Sequence, residues 1–367
     1  KRGDGLWVAS ASFGYDARGK RIRKTVYGKT KKEAREKLLE AQRDALSGLP
    51  IKPENLTLDA HFEDWLRSRD VKDTTRNNYK NVYRANIKPH LGHVKLKDID
   101  YRKVNALYEY LEEEKELTRS VSMVAFLLRS ALEDAVKKGL VPVNQAKLAA
   151  SRTQQRKEAR FMDQKETKKF LEAAKGERLE NALILALHTG LRPGEWLGLP
   201  WDAINWKEKK LTVKQSLVED EGRVWIELTT KTEAGRRTIS LSDTASAALK
   251  RQRKCQLEEQ LAYGGEWVNE HGLVFTNTNG GLLYRSSALK RLFNRVNKKA
   301  GLEGITPHTL RHTHASILIY QGVDAKTISV RLGHEDVAFT LQTYGHLFPG
   351  QDEAAAAEVD AFFDNLL

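Results

Sequence analysis

Cysteine is all but missing from this chain: Cys255 is the single thiol in 367 residues. One thiol excludes an intrachain disulfide and any cysteine-built zinc site, and it fits a reducing compartment. Long apolar runs are missing too. With no stretch near the length of a bilayer span and no secretory signal, the expected setting is the cytoplasm, with no membrane partner. There is no internal repeat and no low-complexity tract beyond Ala354 to Ala357. Acidic residues are in deficit, 49 against 62 lysines and arginines, for a formal charge of +13 and a sequence pI near 9.5. That balance favours a polyanionic partner, nucleic acid being the natural candidate, although charge alone leaves room for a basic protein with no such partner. The first residue is Lys1 rather than Met, which leaves room for native residues ahead of it.

The surplus is uneven. Residues 1–32 hold ten basic residues against Asp4 and Asp16, so the N-terminus reads as a basic arm, whereas residues 351–367 hold five acids and no base. Two β-rich runs between Leu6 and Tyr27 flank the turn-like Asp16-Ala17-Arg18-Gly19, and a helix opens with Thr30 and Glu33 in a capping-box pattern. The segment SGLPIKPEN is a linker. From Leu56 to about Asn144 apolar residues recur at helical spacing, enough for four or five short helices, with Gly139 and Pro142 stopping the last. The polar, basic KLAASRTQQRKEAR is a second linker, suited to lie along a DNA backbone. A third region starts at Phe161, with Asp163 as N-cap of the next helix, ENALILALHTG ending at Gly190, and Pro193 opening another. KLTVKQSLV, RVWIEL and RRTISL then predict a three-stranded sheet before the helices return. This length, divided this way, implies two or three domains.

Cleaving a phosphodiester without a metal needs a nucleophile, cations around the non-bridging oxygens and an acid for the leaving oxygen. Arg192 in TGLRPGEW and Arg311 in PHTLRHTHAS suit the second task, because a guanidinium stays charged and engages two oxygens at once. His308 and Arg311 are three residues apart and share a helix face behind Thr306 and Pro307. A surface arginine beside a hydrogen-bonded histidine is the plainer reading of that pair. Metal binding through His308, His312 and His314 is the other, discounted because the helix lacks the glutamate of a zincin motif and no acidic cluster is near. His334 in LGHED follows Arg311 by 23 residues, and Tyr344 in QTYGHLF follows His334 by ten.

This ordered set resembles the tyrosine recombinase (phage integrase) family, particularly integrases of temperate phages and conjugative transposons. The resemblance implies Tyr344 as nucleophile, linked to a DNA 3′-phosphate with release of a 5′-hydroxyl. Arg192, His308, Arg311 and His334 would surround the phosphate. Lys231, in TTKTEAGRRTISL beside the hairpin tip at Thr232 to Gly235, would protonate the leaving oxygen, and Glu195 would orient a basic side chain. Without the resemblance, Lys231 is a solvated turn residue and Glu195 an N-terminal helix stabiliser.

The resemblance also implies a multidomain fold. Its parts are a small α+β arm-type DNA-binding domain at 1–48, an all-α core-binding domain at 56–144, and a mainly α catalytic domain with a small antiparallel sheet at 158–367, ending in a tail helix. DNA contacts are expected from Arg18, Lys20, Arg21, Arg23 and Lys24 in the arm, Arg76 and Lys80 in the helical region, and Arg156 and Lys157 in the second linker. Double-stranded DNA at core and arm sites would be the partner, and accessory DNA-bending or excision factors further ones. A homotetramer would form on DNA through the tail, whose Val359, Phe362, Phe363, Leu366 and Leu367 make one apolar stripe. No cofactor and no metal is expected, and the setting would be the nucleoid of a bacterial host. Two alternatives stay open: type IB topoisomerase-like relaxation of DNA, and a noncatalytic DNA-binding regulator.

Overall fold

The computed structural model describes residues 5–15, 21–46, 55–113, 118–150, 159–228, 236–348 and 359. The chain forms two compact units, 1–156 and 157–367. It is mainly helical with small antiparallel sheets. Among the described residues no helix is long and apolar enough to cross a membrane.

In the first unit, strands β1 (Trp7–Tyr15) and β2 (Arg21–Gly28) pair antiparallel from Trp7 opposite Gly28. Helix α1 (Lys31–Leu46) packs on both strands. Thr30 Oγ1 accepts the Glu33 N–H at 3.1 Å, as the capping pattern predicts, while the Glu33 carboxylate reaches one residue further back, to the Lys29 N–H at 2.8 Å. Gly28 is required by close approach, since a Cβ there would lie 2.5 Å from the Ala34 nitrogen.

The helical segment follows with α2 (Leu58–Ser68), α3 (Asp73–Val82), a π-helical run Tyr83–Gly92, α4 (Tyr101–Glu113), α5 (Thr118–Lys137) and α6 (Gln145–Leu148). Pro89 lies inside the π run; it has no N–H to give and crowds the carbonyl one turn back, a strain that a widened turn relieves. Phe62 and Tyr83 stack at 3.7 Å between ring centres in a core shared with Trp65, Tyr108 and Leu127. Full burial of a side chain such as Phe62 contributes about 1.5–3 kcal/mol. Thr57 and Asn144 cap α2 and α6 through their side chains, and Gly139, at φ 65°, ends the turn after α5.

The second unit opens with α7 (Gln164–Ala174), where Asp163 and Glu166 form a reciprocal capping box. Then come α8 (Glu180–Thr189), α9 (Pro193–Leu197), β3 (Ile204–Asn205), β4 (Lys210–Val213), β5 (Gln215–Asp220), β6 (Arg223–Leu228) and β7 (Arg237–Ser240). The strands make two sheets where the sequence predicts one: a three-stranded β3-β4-β7 sheet and a separate β5-β6 hairpin. The run KLTVKQSLV breaks at Lys214. Leu211 and Val213 on one side pair with Ile239 and Arg237 of β7, whereas Leu217 on the other side lies against α9. Gly194 inside α9 and Gly198 at its end permit that second contact, for a Cβ on either would come within 2.7 or 2.5 Å of the Leu217 backbone. Helices α10 (Asp243–Tyr263), α11 (Arg285–Ala300), α12 (Pro307–Tyr320), α13 (Ala325–Leu332) and α14 (Val337–Tyr344) complete the unit. Trp196, Phe170, Phe275 and Phe293 anchor its core.

Candidate active site

Arg192 is placed by a short, heavily constrained turn. Gly190 ends α8 at φ 66°, a conformation that excludes most side chains, and a Cβ there would meet His314 and Leu332 at 2.6 Å. Leu191 is buried, and Pro193 then starts α9, where its missing N–H costs nothing. The Arg192 guanidinium donates to Glu195 Oε1 at 2.9 Å and to the Gly333 carbonyl at 2.7 Å, yet its side chain stays 41% exposed. It is therefore fixed on one side and open on the other.

Glu195 lies one turn along, 6% exposed, and does more than cap the helix. Its carboxylate accepts the Arg192 N–H at 2.8 Å and both ends of the Arg237 guanidinium at 3.0 and 2.8 Å. Burial by itself raises its pKa, but hydrogen bonding to Arg237 and the charges of Arg237 and Arg192 outweigh it and hold the carboxyl below its usual value. Arg237 also donates to the Arg331 carbonyl at 2.8 Å, so β7, α9 and α13 are joined at one buried ion pair.

Helix α12 supplies the next cations. Thr306 caps it and Pro307 occupies its first turn, as the sequence predicts. Arg311, 5% exposed, donates to the Gly190 carbonyl at 2.8 Å. Burial, then the nearby Arg192, pull its pKa down to about 9, which still leaves it charged at neutral pH. His308 is open to solvent, and its imidazole is held below the usual value by partial desolvation and by Arg311, Arg285 and Arg192. His314 gives one nitrogen to the Leu187 carbonyl at 2.8 Å and receives Arg331 on the other at 3.0 Å, which leaves it no lone pair for a metal. Among the described residues no His, Cys, Asp or Glu group is arranged to hold a metal ion.

Helices α13 and α14 bring His334 and Tyr344. Gly333 ends α13 at φ 69°, and His334 Nδ1 pairs with Thr340 Oγ1 at 2.7 Å with its ring edge-on to Phe339. Burial, then Arg311, Arg192 and Arg237, lower its pKa to about 3. Tyr344 closes α14 and is 1% exposed. Burial pushes its phenol up to about 12 against the opposing pull of Arg311. Its hydroxyl lies 2.7 Å from His312 Nδ1.

Arg192, Arg311, His334 and Tyr344 thus fall within one electrostatic neighbourhood, with Glu195 beneath it. Such a cluster of fixed cations suits a phosphate, with a buried phenol close to it. Lys231 lies outside the described residues, as do Arg18, Lys20, Arg156, Lys157 and all of the tail stripe except Val359. Arg21, Arg23 and Lys24 lie on β2, and their side chains are outside the described set. Arg76 donates to the Arg69 carbonyl at 3.0 Å and closes the turn between α2 and α3, while Lys80 is half-buried on α3. Sequence reasoning missed Arg237, Arg331 and the contact of His312 with Tyr344. Arg237 carries a readable signal, because alternation in RTIS puts it on the inward face with Ile239, and an inward arginine demands a buried acid. No comparable signal marks the histidine.

Residues 160–350 match the phage integrase family, and residues 57–113 match the phage integrase N-terminal SAM-like domain. A tyrosine recombinase XerC-like protein of Caldanaerobacter subterraneus subsp. tengcongensis is 31% identical over 99% of this chain and 98% of its own length. The ICEBs1 integrase of Bacillus subtilis is 27% identical over 97% of each. Among solved structures, the Tn1549 transposon integrase in complex with circular intermediate DNA superposes with a TM-score of 0.70 over 84% of this chain and 99% of that one, at 19% identity. A lambda integrase tetramer bound to a Holliday junction gives 0.60 over 94% and 96%, at 20% identity. At those identities the two structures speak for the fold.

Proposed function

The chain belongs to the phage integrase family, the tyrosine recombinases, and on that premise we propose that it is the integrase of a mobile genetic element, cutting and rejoining DNA at specific sites. The observation that carries this reading is that Tyr344 lies within the field of Arg311, the same arginine whose charge is felt by His334 and which itself feels Arg192. The Tyr344 oxygen attacks a DNA phosphorus, the bond to the 5′-oxygen breaks, and a 3′-phosphotyrosine remains. The phenol's proton passes to solvent water as the new bond forms, and Lys231 delivers its own to the departing 5′-oxygen. Arg192, Arg311, His308 and His334 hold the non-bridging oxygens, and Glu195 holds Arg192 in place. Because the linkage keeps the energy of the broken bond, a 5′-hydroxyl from another strand reverses the step. Paired exchanges then pass through a Holliday junction.

Around this site we assign residues 1–48 to arm-type DNA, residues 56–144 to the core site and residues 158–367 to catalysis, with the basic residues of the arm and linkers meeting phosphate. Linked modules raise affinity through effective concentration and let one protomer bridge separate sites. A fold relative, the lambda integrase, forms a tetramer bound to a Holliday junction; for this chain we assign a homotetramer on DNA, with the apolar tail seated on a neighbour. Accessory bending or excision factors would join it at the bacterial nucleoid.

A nicked suicide duplex carrying the element's site tests the reading. The wild type forms a covalent adduct, and Tyr344→Phe binds the duplex but forms none. An adduct that persists in Tyr344→Phe assigns the nucleophile elsewhere, and relaxation of supercoils without exchange between two sites points to a topoisomerase.

A further inference from the structure

We propose that His312 is a positioning residue for the nucleophile, its Nδ1 taking the hydrogen bond of the Tyr344 hydroxyl and fixing where the phenolic oxygen points. The inference rests on Tyr344 being the nucleophile. It adds a residue outside the set that surrounds the phosphate.

The contact is short and well formed, with 2.7 Å between Tyr344 Oη and His312 Nδ1 and the rings tilted by 60° at 5.7 Å between centres. Its polarity follows from chemistry. A phenol buried this deeply keeps its proton, and a buried O–H needs an acceptor. The hydroxyl therefore donates to Nδ1, which leaves the imidazole neutral with its own proton on Nε2.

The placement explains why an anchor is needed. Tyr344 ends an eight-residue helix and leads into a single turn, Gly345–Leu347, so its own element holds it weakly. His312 stands on the fourteen-residue α12, next to the buried Arg311. One rigid helix thereby sets the phosphate-binding cation and the nucleophile's partner in a fixed relation. Packing with Ala315, Ile319, Ile328 and Leu332 holds the ring, but without the anchor no other hydrogen bond among the described residues fixes the direction of the hydroxyl, and a displacement of about 1 Å from the productive geometry costs about 100-fold in rate.

The contact aims the oxygen and does not ionise it. Burial first, then the charges of His308 and Arg311, take His312 down to about 4, while Tyr344 stands at about 12. The neutral phenol and neutral imidazole are therefore the resting pair.

The test uses the full chain and the nicked suicide duplex, reading the single-turnover rate of adduct formation, DNA affinity and thermal stability. Asparagine places an acceptor near the position of Nδ1, glutamine near that of Nε2, and phenylalanine removes it. His312→Gln and His312→Phe are expected to slow adduct formation by about 10- to 100-fold at unchanged DNA affinity, with His312→Asn recovering most of the rate. A duplex with a 5′-bridging phosphorothiolate, whose sulfur departs without a proton, should leave the His312→Phe defect in place, because the fault lies with the nucleophile. The proposal is overturned if the variants cleave at the wild-type rate, if folded His312→Asn is no faster than His312→Gln, or if the phosphorothiolate restores His312→Phe. An adduct in Tyr344→Phe defeats the assignment of the nucleophile instead, a result told apart by the protein band that carries no phenol at that position.

Discussion

Replacing Glu195 by glutamine should unfasten the floor of the site without changing its shape. The two carboxylate oxygens accept four hydrogen bonds, two from Arg192 and two from Arg237. A glutamine keeps one acceptor oxygen and turns an NH₂ group toward donors, so part of the set becomes donor against donor. The negative charge also vanishes beside Arg237, whose side chain is 5% exposed. Removing one member of a buried ion pair typically costs about 3–5 kcal/mol, because the remaining charge is left without compensation. In a unit of this size each kcal/mol shifts the midpoint by about 2–4 °C, so Tm should fall by roughly 6–20 °C. The sign of the pH dependence follows from the depressed carboxyl. Its contribution is fully present above the unfolded value of 4.5 and is lost as pH falls through the folded value. Thermal melts of both proteins at pH 7 and in acid supply the measurement. A gap at pH 7 below about 1 °C would refute the reasoning, as would a gap that fails to narrow in acid.

Gly198→Ala should cost about 1–3 kcal/mol by urea unfolding, because the new methyl meets the Leu217 nitrogen at 2.5 Å and the Ser216 carbonyl carbon at 2.8 Å, backbone atoms that cannot rotate away. A neutral result would mean that α9 and β5 slide apart easily. His314 and His334, depressed to about 3 by burial and neighbouring arginines, make stability fall as pH drops below 6.5, where the unfolded chain takes up protons that the native site refuses. Between pH 7 and 5 the pair should remove about 4 kcal/mol, seen as a lower urea midpoint and smaller in His314→Gln.

Local chemistry was legible in the sequence wherever one residue type has few uses. Asp163, Thr306 and Pro307 announced helix starts because a side-chain acceptor or a missing N–H suits little else, and Gly190 announced a stop. The order of Arg192, Arg311, His334 and Tyr344 stood out through its resemblance to the tyrosine recombinase family. What stayed hidden depends on distant backbone. The split of β4 from β5 is decided by Gly194 and Gly198 across the fold, and the strand pattern of KLTVKQSLV has no term for that contact. Glu195 was visible as an acid near a helix start, but its grip on Arg237 joins residues 42 apart in sequence. His312 looked like a spare member of a histidine trio until α14 folded back against α12.

The site is built with more cation than its own anion can balance, and that imbalance has a direction. Arg192 and Arg237 hold Glu195, Arg311 lies in its field and Arg331 in that of Arg237, and burial together with these charges depresses Arg311, His308, His312 and His334. A pocket in that condition favours any added negative charge that reaches it, a DNA phosphate first and the extra charge of a five-coordinate phosphorus more strongly. The same field does not ionise Tyr344, since at pH 7 a phenol near 12 costs about 7 kcal/mol to deprotonate. On the mechanism proposed above, the arginines therefore act on the transition state more than on the resting tyrosine, and the phenol stays neutral and buried until a phosphate supplies the charge that the cations would meet.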